Sequence, residues 1–299
     1  MPFRPTHLRY FVTVAEEGQV TSAARRLQIA QPALSQAISR LESELGLQLL
    51  ERHAKGVRLT DAGAAFLEKA RAVVETEREV SLTAESLARA ARGVLEVGFI
   101  GPPPPLVAHG LFSAFAEEHP DCEVSFRELP FPRGDARGWL ETVDVALCQP
   151  PTPEPGVLAR AVRVEPRALV VAEGHRLAGA DEARLEEVLD ETFISYRGDV
   201  QPAWAGFHSL DDHRGAPPAA STADNVATSL EMLGCLATAT DAVTALPLTD
   251  AKLIAQVLAQ VRALPIVDAA PASVSLVWSE ENAHPRLPAL LDSATAVAG

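Results

Sequence analysis

The chain has 299 residues, 47% of them hydrophobic and 22% charged, which excludes a wholly disordered protein and provides for two packed domains or three small ones. No apolar run reaches the ~20 residues of a membrane helix, and the first residues carry no apolar signal-peptide core, so the expectation is a cytoplasmic protein with no membrane partner. The net charge of −14 is unevenly spread. Residues 1–92 hold 13 Lys/Arg against 11 Asp/Glu, whereas residues 93–299 hold 13 against 29. Within the first part, residues 1–60 hold 8 basic and 5 acidic side chains, so a mildly basic head precedes an acidic body and can grip phosphate locally.

Leu8, Phe11, Val12 and Ala15 fall on one face of a first helix that ends at Glu16-Glu17-Gly18. Thr21 is placed to cap a second helix, Ser22 to Leu27, and Gln28-Ile29-Ala30 is a turn. Pro32 suits the first position of a third helix, where Leu34, Ile38, Leu41 and Leu45 form a buried stripe. The opposite stripe reads Pro32, Ser35, Gln36, Ser39 and Arg40, and Gly46 closes the helix. Leu47–Arg52 and Gly56–Thr60 read as a small β-hairpin around His53-Ala54-Lys55.

Thr60-Asp61 then caps a long helix on which Phe66, Ala70, Val73, Glu77, Val80, Ala84, Leu87 and Ala91 alternate steps of four and three. That heptad-like seam suits pairing with a second copy, the alternative being packing on its own domain. After Arg92-Gly93, strands and helices alternate. Strands are expected at 94–100, 122–129, 143–148, 162–172, 192–196, 243–246 and 272–279. Helices are expected near 106–118, 134–141, 181–189, 224–236, 249–258 and 285–297, and this order implies parallel sheets covered by helices. The expected domains are a winged helix-turn-helix at 1–60, a linker helix at 61–92 and an α/β body at 93–299. The body divides into a first lobe of 93–162 and 265–299 and a second of 163–264.

A helix presented across a short turn with its N-terminal residues free fits the DNA major groove. Gln31, Pro32, Ser35, Gln36, Ser39 and Arg40 would face the bases and Thr21 and Ser22 the backbone, while Arg52, Lys55 and Arg58 on the wing would reach flanking phosphates. The run Ala23-Ala24-Arg25-Arg26-Leu27, then Gln31–Ile38, Leu41–Gly46 and Leu59-Thr60-Asp61-Ala62-Gly63, closely resembles the LysR-type transcriptional regulators. Val97–Gly101, His119-Pro120, Asp144-Val145-Ala146 and Ala245-Leu246-Pro247 extend the resemblance to the family's effector domain. The resemblance implies an α/β fold overall: an all-α winged helix-turn-helix followed by a two-lobed domain like the periplasmic binding proteins. It also implies a small-molecule effector in the cleft, partly palindromic duplex DNA as target, and homodimers through the linker helix that assemble into tetramers. RNA polymerase is a further candidate partner. The groove-reading positions of relatives match Gln31, Pro32, Ser35 and Gln36; the last is often Arg, and Gln36 shifts the expected preference toward adenine. The wing usually carries two arginines where Leu50-Glu51-Arg52 keeps one.

Val97–Pro102 looks most like the subgroup governing breakdown of aromatic compounds. There a hydroxyl residue usually follows Gly101 and helps bind the inducer's carboxylate. Here Pro102 and Pro103 follow, Phe131 stands at the next hydroxyl position, and Thr240 and Ala242 replace a Gly-x-Gly. Ser195, Tyr196, Arg197 and Gln201 are expected at the cleft mouth, near Trp204. The effector is therefore expected to be bulkier or less polar than a small carboxylate, or the pocket to be degenerate and the regulator controlled by a protein partner or ligand-independent. No nucleophile elbow, zinc-peptidase helix or Gly-rich phosphate loop is present, and the histidines are scattered, so no enzyme is expected. Cys122, Cys148 and Cys235 form no metal-spaced cluster, and no metal or cofactor is expected; reduced thiols are favoured over a redox pair.

Overall fold

Pro5 opens the first helix, α1 (Pro5–Glu17), and Gly18 closes it in the left-handed region at φ 63°. The computed structural model describes residues 4–53, 56–133, 137–149 and 154–297, and the chain falls into two units, Met1–Ala84 and Glu85–Gly299.

In the first unit α1 packs with α2 (Val20–Arg26) and α3 (Gln31–Leu45) around Leu8, Phe11, Ala23, Leu34 and Leu41, all of them buried. Thr21 is not the cap of α2: Gln19 holds that position, and Thr21 lies inside the first turn. The helix begins earlier than expected because Gly18 has already reversed the chain. Pro32 is likewise the second residue of α3, with Ala30 at the cap. The wing is the antiparallel hairpin of β1 (Leu50–His53) and β2 (Gly56–Leu59). Its root is fixed to α3 by Glu42, whose Oε1 accepts from the amides of Leu49 at 2.8 Å and Leu50 at 3.0 Å. Thr60 caps α4 (Asp61–Ala91), its Oγ1 accepting from Gly63 N at 2.9 Å. Gly63 is required there, since a Cβ would lie 2.0 Å from the main-chain oxygen of Leu49.

In the second unit one sheet has the order β4-β3-β5-β12-β6, built from β3 (Val94–Phe99), β4 (Glu123–Glu128), β5 (Val145–Cys148), β6 (Val157–Glu165) and β12 (Ala272–Ser279). Helices α5 (Pro104–Val107), α6 (His109–Glu118), α7 (Arg137–Leu140) and α13 (Leu287–Val297) accompany it. The other sheet has the order β11-β7-β10-β8-β9, from β7 (Arg167–Ala172), β8 (Thr192–Tyr196), β9 (Ala220–Val226), β10 (Ala242–Pro247) and β11 (Val261–Pro265). With it go α8 (Leu185–Val188), α9 (Pro202–His208), α10 (Asp211–Arg214), α11 (Ser229–Thr238) and α12 (Leu248–Val257).

The sheets are mixed rather than parallel. β3 runs parallel to β4 and β5, and β8 to β9 and β10, but β12 opposes β5 and β6, and β7 opposes β10 and β11. The expected single strand at 162–172 is two strands in different sheets, β6 and β7, divided at Pro166, which has no N–H to continue a ladder. The chain therefore passes between lobes at Pro166, and the expected boundary at 162/163 falls inside β6. The segment expected to start a helix near 224 is the end of β9; the helix starts at Ser229, where Thr228 Oγ1 accepts from Glu231 N at 3.2 Å. β11 has no counterpart among the expected strands. Asp144, fully buried, binds the last turns of α4: it accepts from Ser86 Oγ at 2.8 Å and from Arg89 Nε and Nη2 at 2.9 and 2.7 Å.

Candidate nucleic-acid interface and effector cleft

On α3 the buried face holds Leu34, Ile38 and Leu41, while Gln31, Pro32, Gln36, Ser39 and Arg40 are exposed and Ser35 is half-buried. Gln31 Nε2 donates to Ser35 Oγ at 3.2 Å, which lines up the two side chains one turn apart on that face. Arg40 is held by Glu44 at 2.8 Å, so its charge is partly committed to its own helix. On α2, Thr21 is exposed and Ser22 half-buried. Arg58 on β2 is exposed, opposite Glu51 in the hairpin register. Arg52 lies on β1 opposite Val57, and Lys55 lies outside the described residues. Exposed Arg25, which sequence reasoning left out, forms no ion pair with a described residue, unlike Arg26, which meets Glu16 and Glu17. The arrangement presents polar side chains on a helix beside a wing, with Leu8, Phe11 and Leu34 making the scaffold behind it.

The turn after β3 closes itself to anions. Gly101, at φ 87°, donates its N–H to Ser229 Oγ at 3.1 Å across the cleft. Positions 102–105 are proline and have no N–H, and Leu106 N donates to Pro103 O at 2.9 Å. No amide from 101 to 106 is left for a carboxylate. The start of α11 is also occupied: Glu231 Oε2 accepts from Ala227 N at 2.7 Å, placing a carboxylate where the helix end would attract an anion.

Behind this turn the cleft is aromatic. Phe131, 1% exposed, packs on Trp204 with ring centroids 4.4 Å apart and on Tyr196 at 5.7 Å. Trp204 meets Tyr196 at 5.5 Å and His208 at 4.1 Å. These rings join Ile100, Trp139, Cys148, Met232 and Leu236 in one apolar cluster drawn from both lobes. Tyr196 Oη lies 3.2 Å from Thr244 Oγ1, and burial holds its hydroxyl far above the usual phenol range. Burial pushes His208 down to about 4. Its Nδ1 sits 2.9 Å from the main-chain oxygen of Ala245, which only accepts, so Nδ1 carries the proton and Nε2 a lone pair. Among the described buried side-chain atoms, His208 Nε2, Trp204 Nε1 and Trp139 Nε1 have no hydrogen-bond partner.

The structure brings Gly101, Phe131, Tyr196 and Gln201 to the cleft. Gln201, buried, donates from N to Pro132 O at 2.7 Å and from Nε2 to Glu154 at 2.8 Å. Pro102 is half-buried and Pro103 exposed in the turn. Ser195 is committed within its sheet, its Oγ donating to Asn225 Oδ1 at 2.7 Å. Arg197 is exposed and lies 3.9 Å from Glu231. Thr240 is not among them: Ala242 pairs with Thr192, the first residue of β8, so Thr240 lies at the opposite end of the parallel strands from Tyr196. Sequence reasoning missed His208 and Trp139, and it missed a buried link between lobes in which Asp250 meets Arg163 at 3.1 Å and Gln149 at 2.9 Å. No local pattern marks any of these residues. The described residues hold no group of three or more His, Cys, Asp or Glu fit for a metal, and no helix long and apolar enough to cross a membrane.

Residues 5–64 match the family model of bacterial regulatory helix-turn-helix proteins of the lysR family, and residues 88–299 match that of the LysR substrate binding domain. The HTH-type transcriptional regulator TfdS of Cupriavidus pinatubonensis (strain JMP 134 / LMG 1197) is 34% identical over 207 residues, 69% of either chain. The regulator ClcR of Pseudomonas putida is 31% identical over 208 residues, again 69% of either chain. Full-length CbnR complexed with its target DNA has the same fold, with a TM-score of 0.53 at 24% identity over 99% of this chain and 100% of that one. Full-length BenM gives 0.52 at 22% identity over 99% and 96%.

Proposed function

Because the chain belongs to the LysR family of DNA-binding transcriptional regulators with a substrate-binding domain, we propose that α3 reads operator bases while the two-lobed unit senses a small molecule that is not a simple carboxylate. Gln31, Ser35 and Gln36 are the base readers, Thr21, Ser22, Ser39 and Arg40 support them, and the wing arginines Arg52 and Arg58, with Lys55, grip phosphate. The operator is partly palindromic because two copies pair through α4. Val73, Val80 and Leu87 stand seven residues apart on that helix, and all three are exposed, at 39%, 64% and 49%. Tetramers form from two such pairs, and RNA polymerase is met at the promoter. The protein works in the cytoplasm and catalyses no reaction.

The subgroup assignment, regulators of aromatic breakdown, rests on the resemblance at Val97–Pro102. The observation that carries the non-carboxylate reading is the turn at 101–106, where every amide is either absent or already bonded. Calorimetry of the full chain with benzoate and with cis,cis-muconate tests it. No heat of binding at millimolar ligand is the expected result. Binding at micromolar concentration that is lost when Phe131 or Ser229 is replaced would place a carboxylate in this cleft and overturn the reading.

A further inference from the structure

The cleft contains unmet hydrogen-bonding groups inside an otherwise apolar aromatic cluster. Buried polar atoms in native proteins almost always have partners, so an orphan invites a missing one. Trp204 and His208, each 2% exposed, are in ring contact at 4.1 Å, and each retains one unpartnered nitrogen. Their needs are complementary. Trp204 Nε1 is an N–H donor, and His208 Nε2 is an acceptor because its Nδ1 proton is given to Ala245 O. A single hydroxyl meets both demands, accepting from an indole and donating to an imidazole.

The surroundings select against charge. Arg167, the cation whose field reaches His208, is bidentate to Asp212 and stacked 4.1 Å over the Phe207 ring. Arg197 lies against Glu231, and Glu231 itself sits at the start of α11. Among the described residues, Arg167 and Arg197 each face a carboxylate, and the turn offers an anion no free amide. Phe131, Tyr196 and Trp204 pack on one another with centroids 4.4 to 5.7 Å apart, so an aromatic ring that takes the place of Phe131 inherits the same offset and edge-on contacts.

We infer that the cleft takes an uncharged aromatic molecule bearing a hydroxyl, a phenol, whose ring packs among Phe131, Tyr196 and Trp204 and whose hydroxyl bridges Trp204 Nε1 and His208 Nε2. This inference rests on the reading of the two-lobed unit as a small-molecule sensor. Phe131 and Trp204 are in contact in this structure, so the phenol enters as Phe131 gives way.

The test uses the full chain with phenol and 4-methylphenol, their hydroxyl-free counterpart toluene, and benzoate and cis,cis-muconate as anions. Thermal shift and calorimetry are read for each, alongside binding to the protein's own upstream DNA. Phenols are expected to raise the melting temperature and to bind at least about tenfold tighter than toluene, a ratio that collapses toward one in Trp204→Phe, which keeps the ring and removes the N–H. If Trp204→Phe fails to fold, the phenol-to-toluene ratio in the unaltered protein decides alone. Toluene binding as well as phenol overturns the hydroxyl bridge. Binding of benzoate or muconate without binding of phenols overturns the inference and leaves small-molecule sensing standing. If neither class binds to protein that still binds its DNA, the phenol inference falls, while the sensor reading is decided separately by a thermal-shift screen of other uncharged small molecules.

Discussion

Arg163 Nη2 on β6 lies 3.1 Å from Asp250 Oδ1 on α12, so the two lobes of the second unit are joined by an ion pair whose acid is 3% exposed. Gln149 at the end of β5 donates to the other oxygen of Asp250, and Glu165 shares Arg163 at 2.8 Å and accepts from Thr249 N at 3.1 Å. Burial pushes the Asp250 carboxyl up from its ordinary 3.8 to about 6, against the opposing pull of Arg163.

That shift has a defined sign. A carboxyl whose folded value is raised favours folding when protonated, so its contribution is full below about pH 4 and is lost as pH rises through 6. The unfolding free energy of the unaltered protein minus that of Asp250→Asn is expected to fall by roughly 1–3 kcal/mol between those limits. Urea denaturation across the range checks it. A difference that grows with pH would contradict the assignment.

Gly63→Ala is expected to destabilise the first unit by several kcal/mol, on the order of a severe overpacking. The added Cβ would lie 2.0 Å from Leu49 O, where backbone faces backbone and nothing flexible can move aside. Thr60→Ala, which loses only the cap bond to Gly63 N, is expected to cost ~0.5–2 kcal/mol. Thermal unfolding followed by far-UV circular dichroism ranks the two.

Val80→Asp is expected to weaken dimers by about 1–3 kcal/mol for each charged side chain forced into the seam. Sedimentation equilibrium at low micromolar concentration reads the change. An unaltered mass would mean that the exposed stripe of Val73, Val80 and Leu87 is not where two copies meet.

Arg58→Ala is expected to weaken binding to all DNA sequences alike and to lower the salt slope by about one counterion. Anisotropy titrations from 50 to roughly 200 mM salt measure it. A loss confined to one operator sequence would instead make Arg58 a base reader.

The head was legible because its signals are local. The stripe of Leu34, Ile38 and Leu41 and the caps at Gly18, Gly46 and Thr60 all act within one or two turns. The sheets were less so. β9, Ala220–Val226, lies at a sheet edge and carries Ser221, Thr222 and Asn225, a composition that reads as a helix approach rather than a strand. β6 and β7 merged in the sequence because both are rich in Val and Ala, and only the third dimension sends them to different sheets. The cleft was legible in part. Phe131 and the prolines mark in the sequence a turn poor in free amides. The ring cluster behind it depends on Trp139, Tyr196, Trp204 and His208, which come from α7, β8 and α9 and meet only in the fold.

The measurement that bears most directly on the central claim compares unaltered protein with Gln36→Ala on its own upstream promoter DNA and on unrelated DNA of equal length. Exposed on the polar face of α3, Gln36 is expected to carry specificity, so the variant should lose about 1–3 kcal/mol of specific over non-specific affinity while its non-specific binding stays unchanged. Equal specificity in both proteins would contradict the assignment of α3 as the reading helix.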